Sequence, residues 1–523
     1  APVDVGYSVE LTIDPELQAL AQKTAACYTG RHDVCQALAM RRAEDAGLPL
    51  GRQLLEGAMV RMAAVAVIDV ASGRIEALAG ALSPCARQEV DRSTRDPSCD
   101  SRLPFPVRYR ADALLNPAVY HDAMPASTIK PILATEFLAD PRNGARLLAS
   151  EQAAMRTDAV PARESLRGQL MRSDSARFLD RMFCAEQGFA DCRRPWDVQA
   201  TARAFGWNAG CASASEACGQ GDLLFGRDLG AAGPTLAPGA TRFAFGRLLS
   251  EPIDAHLGAP MHLMPSMRLD PEILRRCAAG PDGRRMSDDD WEKCRGGAVV
   301  DVVAEGWGQG HARASALGVA AMMATVASTA NGAPVVPSPH LVDSVHGVDT
   351  AAMDPVRSAS LRWAGPPRSP PASQAAAEVI LSGLTYSHRA GTARTACEQV
   401  LDARRCRDIS WIAGKTGTPS FPSDGLSLDA IARLCGNPAT AAMEARRGIC
   451  GSLRPYKWYV ATYRGDRSAS GPWTKAIAVL TERNWISASG RVHGAGDTGP
   501  NPAAEIALQI VGRRAGLMES VLP

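Results

Sequence analysis

Met62-Ala63-Ala64-Val65-Ala66-Val67-Ile68-Asp69-Val70, then the turn Ala71-Ser72-Gly73, then Arg74-Ile75-Glu76-Ala77-Leu78-Ala79-Gly80 is the stretch that decides the fold class. Two β-prone runs across a glycine-containing turn predict a hairpin. Upstream, Val9-Glu10-Leu11-Thr12-Ile13 alternates like a strand, and Asp14-Pro15 starts a helical pattern through Leu17, Leu20 and Ala21. Downstream, Pro125 to Ala139 is apolar at helical spacing, and Ala314 to Ala330 predicts a buried helix. The last third holds strand-like runs at Ile409 to Ala413, Trp458 to Tyr463 and Ala476 to Leu480, then a helical Asn501 to Arg514 opened by Pro502. Strands at both ends with helices between predict one sheet built from distant parts of the chain, an α+β fold.

The 523 residues suffice for several domains or one large domain with insertions. A hydrophobic share of 46% and a charged share of 21% are those of a globular chain that buries a core. A net charge of +2 without a long basic run gives no case for a nucleic-acid partner. The best membrane candidate, Met62 to Val70, is too short to cross a bilayer. The chain opens at Ala1 without a charged, then apolar, leader; the expectation is a removed signal or anchor, or a piece of a longer chain. Nine histidines show no His-Glu-x-x-His arrangement, so neither a metal nor a cofactor is expected.

Fourteen cysteines fall into seven close pairs: Cys27 and Cys35, Cys85 and Cys99, Cys184 and Cys192, Cys211 and Cys218, Cys277 and Cys294, Cys397 and Cys406, Cys435 and Cys450. None has Cys-x-x-Cys spacing. Local pairs in even number fit hairpin-like disulfides made in an oxidising compartment, each stabilising by roughly 2–3 kcal/mol. Buried free thiols are the alternative.

Three short motifs occur in order: Ser127-x-x-Lys130, Ser173-Asp174-Ser175 and Lys415-Thr416-Gly417-Thr418. A Ser-x-x-Lys pair arises by chance on the order of once or twice in a chain this long, so local context must carry the reading. A serine hydroxyl needs a nearby base to become a nucleophile. Three residues along a helix, Lys130 shares a face with Ser127. It accepts a proton only if desolvation or a second cation lowers its pKa, and Lys415 is the expected second cation. Lys415, Thr416 and Thr418 form a binding edge for a carboxylate, with Gly417 allowing close approach. Backbone N–H groups of Ser127 and Thr418 are the expected oxyanion hole. Asp174 reads as solvent-facing.

With these motifs the chain resembles the penicillin-binding transpeptidases. Leu11-Thr12-Ile13-Asp14-Pro15-Glu16-Leu17-Gln18 is similar to the family's "TTIDxxLQ", and Pro125-Ala126-Ser127-Thr128-Ile129-Lys130-Pro131 to its "PGSTFKP". Gly308-Gln309-Gly310, Ala330-Asn331-Gly332, Gly391-Thr392-Ala393 and Trp458-Tyr459-Val460-Ala461 resemble further family runs. The resemblance implies a penicillin-binding/β-lactamase-like fold, a central antiparallel sheet flanked by helices, without a glycosyltransferase half. It divides the chain into a linker over 1–60 and a transpeptidase domain over 61–523. It implies that Ser127 is acylated, Lys130 is the base, Ser173 relays a proton, and Lys415 tunes the field. Ser175, Thr416, Gly417 and Thr418 would bind substrate.

The implied activity is peptidoglycan DD-transpeptidation or DD-carboxypeptidation of D-Ala-D-Ala stem peptides, with β-lactams as covalent ligands. The implied location is periplasmic, with an inner-membrane anchor outside this chain, and cell-wall synthesis partners are compatible with it. Two departures stand out. Ser175 replaces the family's asparagine with a shorter side chain, and an insertion over Pro419 to Pro455 is either functional or a surface elaboration. Two rival readings keep the same fold: a β-lactamase or β-lactam sensor, and a non-catalytic peptidoglycan-binding scaffold.

Overall fold

The computed structural model describes residues 5–29, 31–38, 60–82, 116–120, 123–140, 143–157, 159–175, 177–178, 204–205, 261–262, 313–349, 368–419, 456–483 and 501–518. The strands longer than two residues are β1 (Val5–Leu11), β2 (Val60–Asp69), β3 (Ile75–Leu82), β4 (Val342–Asp349), β5 (Ile412–Gly417), β6 (Tyr456–Tyr463) and β7 (Lys475–Arg483). The helices of seven residues or more are α1 (Pro15–Tyr28), α2 (Lys130–Ala139), α3 (Gly144–Met155), α4 (Leu166–Arg172), α5 (Ala316–Ala330), α6 (Gln374–Thr385), α7 (Arg394–Leu401) and α8 (Pro502–Arg514). The expected hairpin is β2–β3. The first of the late strands begins at Ile412 and runs through Lys415-Thr416-Gly417, so the third motif is itself strand.

The main sheet is five-stranded and antiparallel, in the order β3-β2-β7-β6-β5. The hairpin strand β2 lies second from the edge, paired with β3 on one side and with the central strand β7, more than 400 residues later, on the other. Side chains alternate across a strand, and β2 sends Met62, Ala64, Ala66 and Ile68 into one core and Ala63, Val65 and Val67 into the other. The first core is roofed by α2, α5 and α6, the second by α1, α7 and α8. Every residue of α5 is buried, as its Ala- and Met-rich sequence predicts. This is the expected α+β architecture, with helices on both faces of an antiparallel sheet. β1 and β4 form a separate antiparallel pair.

The run Thr12 to Gln18 fastens the outer edge of the sheet. Thr12, 2% exposed, donates its hydroxyl to the Ile75 carbonyl at 2.7 Å. Asp14 caps α1 by accepting from the Glu16 and Leu17 N–H groups, both at 3.0 Å. One turn on, the Gln18 amide donates to the Leu78 carbonyl at 2.9 Å and accepts from the Leu78 N–H at 2.7 Å. Gln22 repeats this with Gly80, at 2.6 and 3.2 Å. Glutamines four apart share a helix face, and residues two apart in a strand turn the same peptide edge outward. Two side-chain amides thus stand where a sixth strand would pair.

The structure contains the Cys27–Cys35 and Cys397–Cys406 disulfides, two of the seven expected pairs. The other five pairs, Gly308-Gln309-Gly310 and the insertion beyond Pro419 lie outside the described residues. Among the described residues no helix is long and apolar enough to cross a membrane.

Replacing Gln18 by leucine removes the partner of the Leu78 N–H, while the Leu78 carbonyl keeps the Asn116 amide at 2.8 Å. The expected cost is about 1–3 kcal/mol, that of a lost hydrogen-bond partner at a part-buried site. It should be read as a lower urea midpoint, with a smaller loss for Gln22→Leu at the more exposed position.

Candidate active site

Ser127 sits in a tight turn that leads into a helix. Ala126–Ile129 forms one turn of 3₁₀ helix, and α2 begins at Lys130. A single helix from Pro125 is thus corrected at its first turn. Ala126, the first residue of that turn, has a φ of 49° in the left-handed region, so an α-helix cannot run back through it to Pro125. Residues i and i+3 eclipse in a 3₁₀ turn, so Ser127 and Lys130 still leave the backbone on one side. The turn is held by the Thr128 hydroxyl, which donates to the Pro125 carbonyl at 2.6 Å, and by Trp458 Nε1, which donates to the Met124 carbonyl at 2.9 Å. It also lies directly against β5. A Cβ on Gly417 would come within 2.9 Å of Thr128 Cγ2 and 3.0 Å of the Pro125 carbonyl oxygen. Only glycine leaves room for that approach.

Ser173 closes α4 in a second left-handed conformation, φ 56° and ψ 36°. The Asp174 N–H reaches back to the Gln169 carbonyl at 3.0 Å, the Schellman type of helix ending. A non-glycine residue there costs about 1 kcal/mol or more, a cost that surrounding contacts must offset. What the bend gains is direction, because it presents the Ser173 hydroxyl and carbonyl to two lysines. Lys130 Nζ donates to the Ser175 hydroxyl at 2.7 Å, to the Ser173 carbonyl at 3.2 Å and to the Ser173 hydroxyl at 3.5 Å. Lys415 Nζ donates to the same Ser173 hydroxyl at 2.7 Å and to the Thr416 carbonyl at 2.8 Å. Ser175, shorter than asparagine, nonetheless reaches the amine.

Both lysines are fully buried. Burial disfavours an ammonium, and it pulls Lys130 down from 10.5 to about 7, with the nearby Asp174 carboxylate pulling the other way. Burial likewise holds Lys415 well below its ordinary value, and the charge of Lys130 adds to that lowering. The sequence expectation had Lys415 acting on Lys130; in the structure desolvation is the larger cause at both. Asp174 is not solvent-facing as expected. Its side chain is 12% exposed and meets Arg163 at 3.1 Å and Arg177 at 3.8 Å. No hydrogen bond within 3.5 Å joins the Ser127 hydroxyl to another described residue, so the Lys130 amine is aimed at the Ser173 turn.

At the outer end of β5, Thr416 is 7% exposed and donates its hydroxyl to the Thr392 hydroxyl at 2.6 Å. Thr418 follows the strand, half-buried. Sequence reasoning gave no role to Thr392, or to His388, whose Nε2 lies 2.6 Å from the buried Tyr459 hydroxyl. Burial drives the His388 imidazole to about 4, so it is neutral near pH 7. The pair packs behind β5, and nothing in its spacing of 71 residues marks it in the sequence.

No family model and no curated protein matches the chain. Solved structures do. The D,D-transpeptidase domain of a peptidoglycan glycosyltransferase from Eggerthella lenta is similar over 99% of this chain and 84% of its own, at 16% identity and a TM-score of 0.44. PBPA from Mycobacterium tuberculosis is similar over 98% of this chain and 82% of its own, at 16% identity and a TM-score of 0.41. Penicillin binding protein 3 from the same organism, solved with ampicillin, is similar over 97% and 78%, at 16% identity and a TM-score of 0.45. Two of these three structures are penicillin-binding proteins, and the other is a D,D-transpeptidase domain.

A buried lysine whose pKa falls on folding makes the unfolded chain the better proton binder. For Lys130 that window runs from about 7 to 10.5, so its contribution raises stability as pH rises and weighs fully against folding below about 7. Lys130→Met should therefore raise the melting temperature at pH 7. It should also flatten the rise in melting temperature between pH 7 and 10, both read by scanning calorimetry.

Proposed function

We propose that this protein is a penicillin-binding serine acyltransferase acting on D-Ala-D-Ala stem peptides, as a peptidoglycan DD-transpeptidase or DD-carboxypeptidase. The observation that carries this reading is the meeting of Lys130 and Lys415 at one hydroxyl, that of Ser173, at 3.5 and 2.7 Å. Three segments far apart in the chain thereby converge beside the turn that holds Ser127.

The Ser127 oxygen attacks the carbonyl carbon of the penultimate D-Ala, and its proton passes to the neutral Lys130 amine. A lysine lowered to about 7 is half neutral at that pH, which suits a base working near neutrality. Charge developing on the carbonyl oxygen is met by the backbone N–H groups of Ser127 and Thr418. As the C–N bond breaks, the proton moves from Lys130 through the Ser173 hydroxyl to the leaving D-Ala nitrogen. An amine from a second stem, or water, then attacks the ester and returns Ser127. Lys415 and the Thr416 and Thr418 hydroxyls hold the terminal carboxylate, with Gly417 keeping the strand close to the nucleophile turn. Ser175, hydrogen-bonded to Lys130, both orients the base and lines the substrate cleft. A β-lactam enters the same steps but retains its leaving nitrogen in the opened ring, so the adduct persists. The reading puts the transpeptidase domain over 61–523, with 1–60 as an entry segment whose α1 packs on that domain's second core, in the periplasm, where the two disulfides form.

Incubation of the native protein with a fluorescent penicillin, followed by intact mass and peptide mapping, tests this. One stable adduct on Ser127, absent from Ser127→Ala, is expected. Below about pH 7 Lys130 carries its proton and cannot take another, so the acylation rate should rise as pH passes upward through about 7. Absence of an adduct with several β-lactams would favour the scaffold reading. Rapid turnover of nitrocefin would favour a β-lactamase.

A further inference from the structure

Thr392 lies in the loop between α6 and α7, 24 residues before Thr416. Its backbone is fixed from two sides. The Thr392 N–H donates to the Met171 carbonyl, two residues before Ser173, at 3.3 Å. The preceding Gly391 is pressed on the same carbonyl so closely that a Cβ there would stand 2.3 Å from its oxygen. The loop is thus clamped to the end of α4, while the Thr392 side chain reaches the Thr416 hydroxyl at 2.6 Å.

Two hydroxyls joined by one hydrogen bond use one of their two hydrogens and leave the other free. Here Thr416 donates and is 7% exposed, whereas Thr392 accepts and is exposed. Hydroxyls rotate, and with Thr416 as donor the unused hydrogen sits on the exposed Thr392 oxygen, where an arriving acceptor can meet it. Accepting a bond also polarises that O–H, which strengthens it as a donor. The Lys415 amine donates to the backbone carbonyl of the same Thr416 at 2.8 Å, so a lysine adjoins the partner of Thr392. A clamped hydroxyl with a free hydrogen, whose partner adjoins a lysine, fits a carboxylate oxygen.

We propose that Thr392 is a further substrate-binding residue, whose hydroxyl donates to the terminal carboxylate of the stem peptide or β-lactam alongside Thr416. This inference rests on the acyl-enzyme reading above. It also assigns the contact with Thr416 a purpose beyond packing, since it leaves the Thr392 hydrogen free to donate.

The test compares acylation by benzylpenicillin and by its methyl ester, in the wild type and in Thr392→Val and Thr392→Ser. The ester has no carboxylate, and the ratio of the two rates is internal to each variant, so an inactive fraction cancels. Thr392→Val keeps the shape and loses the hydroxyl. It should lower the benzylpenicillin rate about tenfold, the size of one hydrogen bond to a charged group, and leave the ester rate nearly unchanged. Thr392→Ser should restore the wild-type ratio. If Thr392→Val proves unstable, Thr392→Ala in the same comparison answers the question. An equal fall with both compounds, or no fall with either, would overturn the carboxylate role while leaving the acyl-enzyme reading intact. No adduct on the wild type would overturn both.

Discussion

Two amines enclosed side by side, with no carboxylate among the described residues touching either, are the constraint around which this molecule is arranged. Each would rather be in water, and the charge of Lys130 makes it harder for Lys415 to hold a proton. The shared Ser173 hydroxyl is what they have in place of solvent. Neutralisation is the cheapest way out of that conflict, and a neutral amine is what a serine nucleophile needs nearby. The electrostatic liability and the chemical capability are the same feature.

Holding the amines there demands local backbone distortion as well as burial. Ala126 and Ser173, on either side of Lys130 in the chain, both adopt left-handed conformations that side chains other than glycine's resist. Each bends its segment toward β5, one presenting Ser127 and the other Ser173. The strand itself is kept slim by Gly417, where the Ser127 turn rests against it. The rigid five-stranded sheet with two cores supplies the support against which these bends are sustained.

Much of this was legible from residues alone. The hairpin, the helix behind Asp14-Pro15, the buried Ala- and Met-rich helix and the closing helix after Asn501 all follow from periodicity and capping. The three motifs are segments that the structure brings into contact. What spacing could not carry was the tertiary electrostatics. Asp174 looks like any surface acid until Arg163 and Arg177 fold over it. Lys415 looked like the agent of Lys130's shift, whereas enclosure dominates at both. Thr392 was visible only as a fragment of a familiar run, because its partner lies on another element. The α-helix expected from Pro125 begins five residues later, at Lys130, since no propensity scale foresees a left-handed alanine.

The glutamine pair on α1 has a consequence for how the protein keeps to itself. The rims of β-sheets are adhesive, because unspent peptide groups recruit any extended chain nearby. At β3 that adhesive is neutralised by amides lent from a helix preceding the strand in the chain. Docking of α1 and closure of the rim are therefore a single event. Whatever pries that helix loose uncovers bare backbone as well as apolar side chains, so the earliest loosening on this flank is also the step at which the molecule becomes sticky.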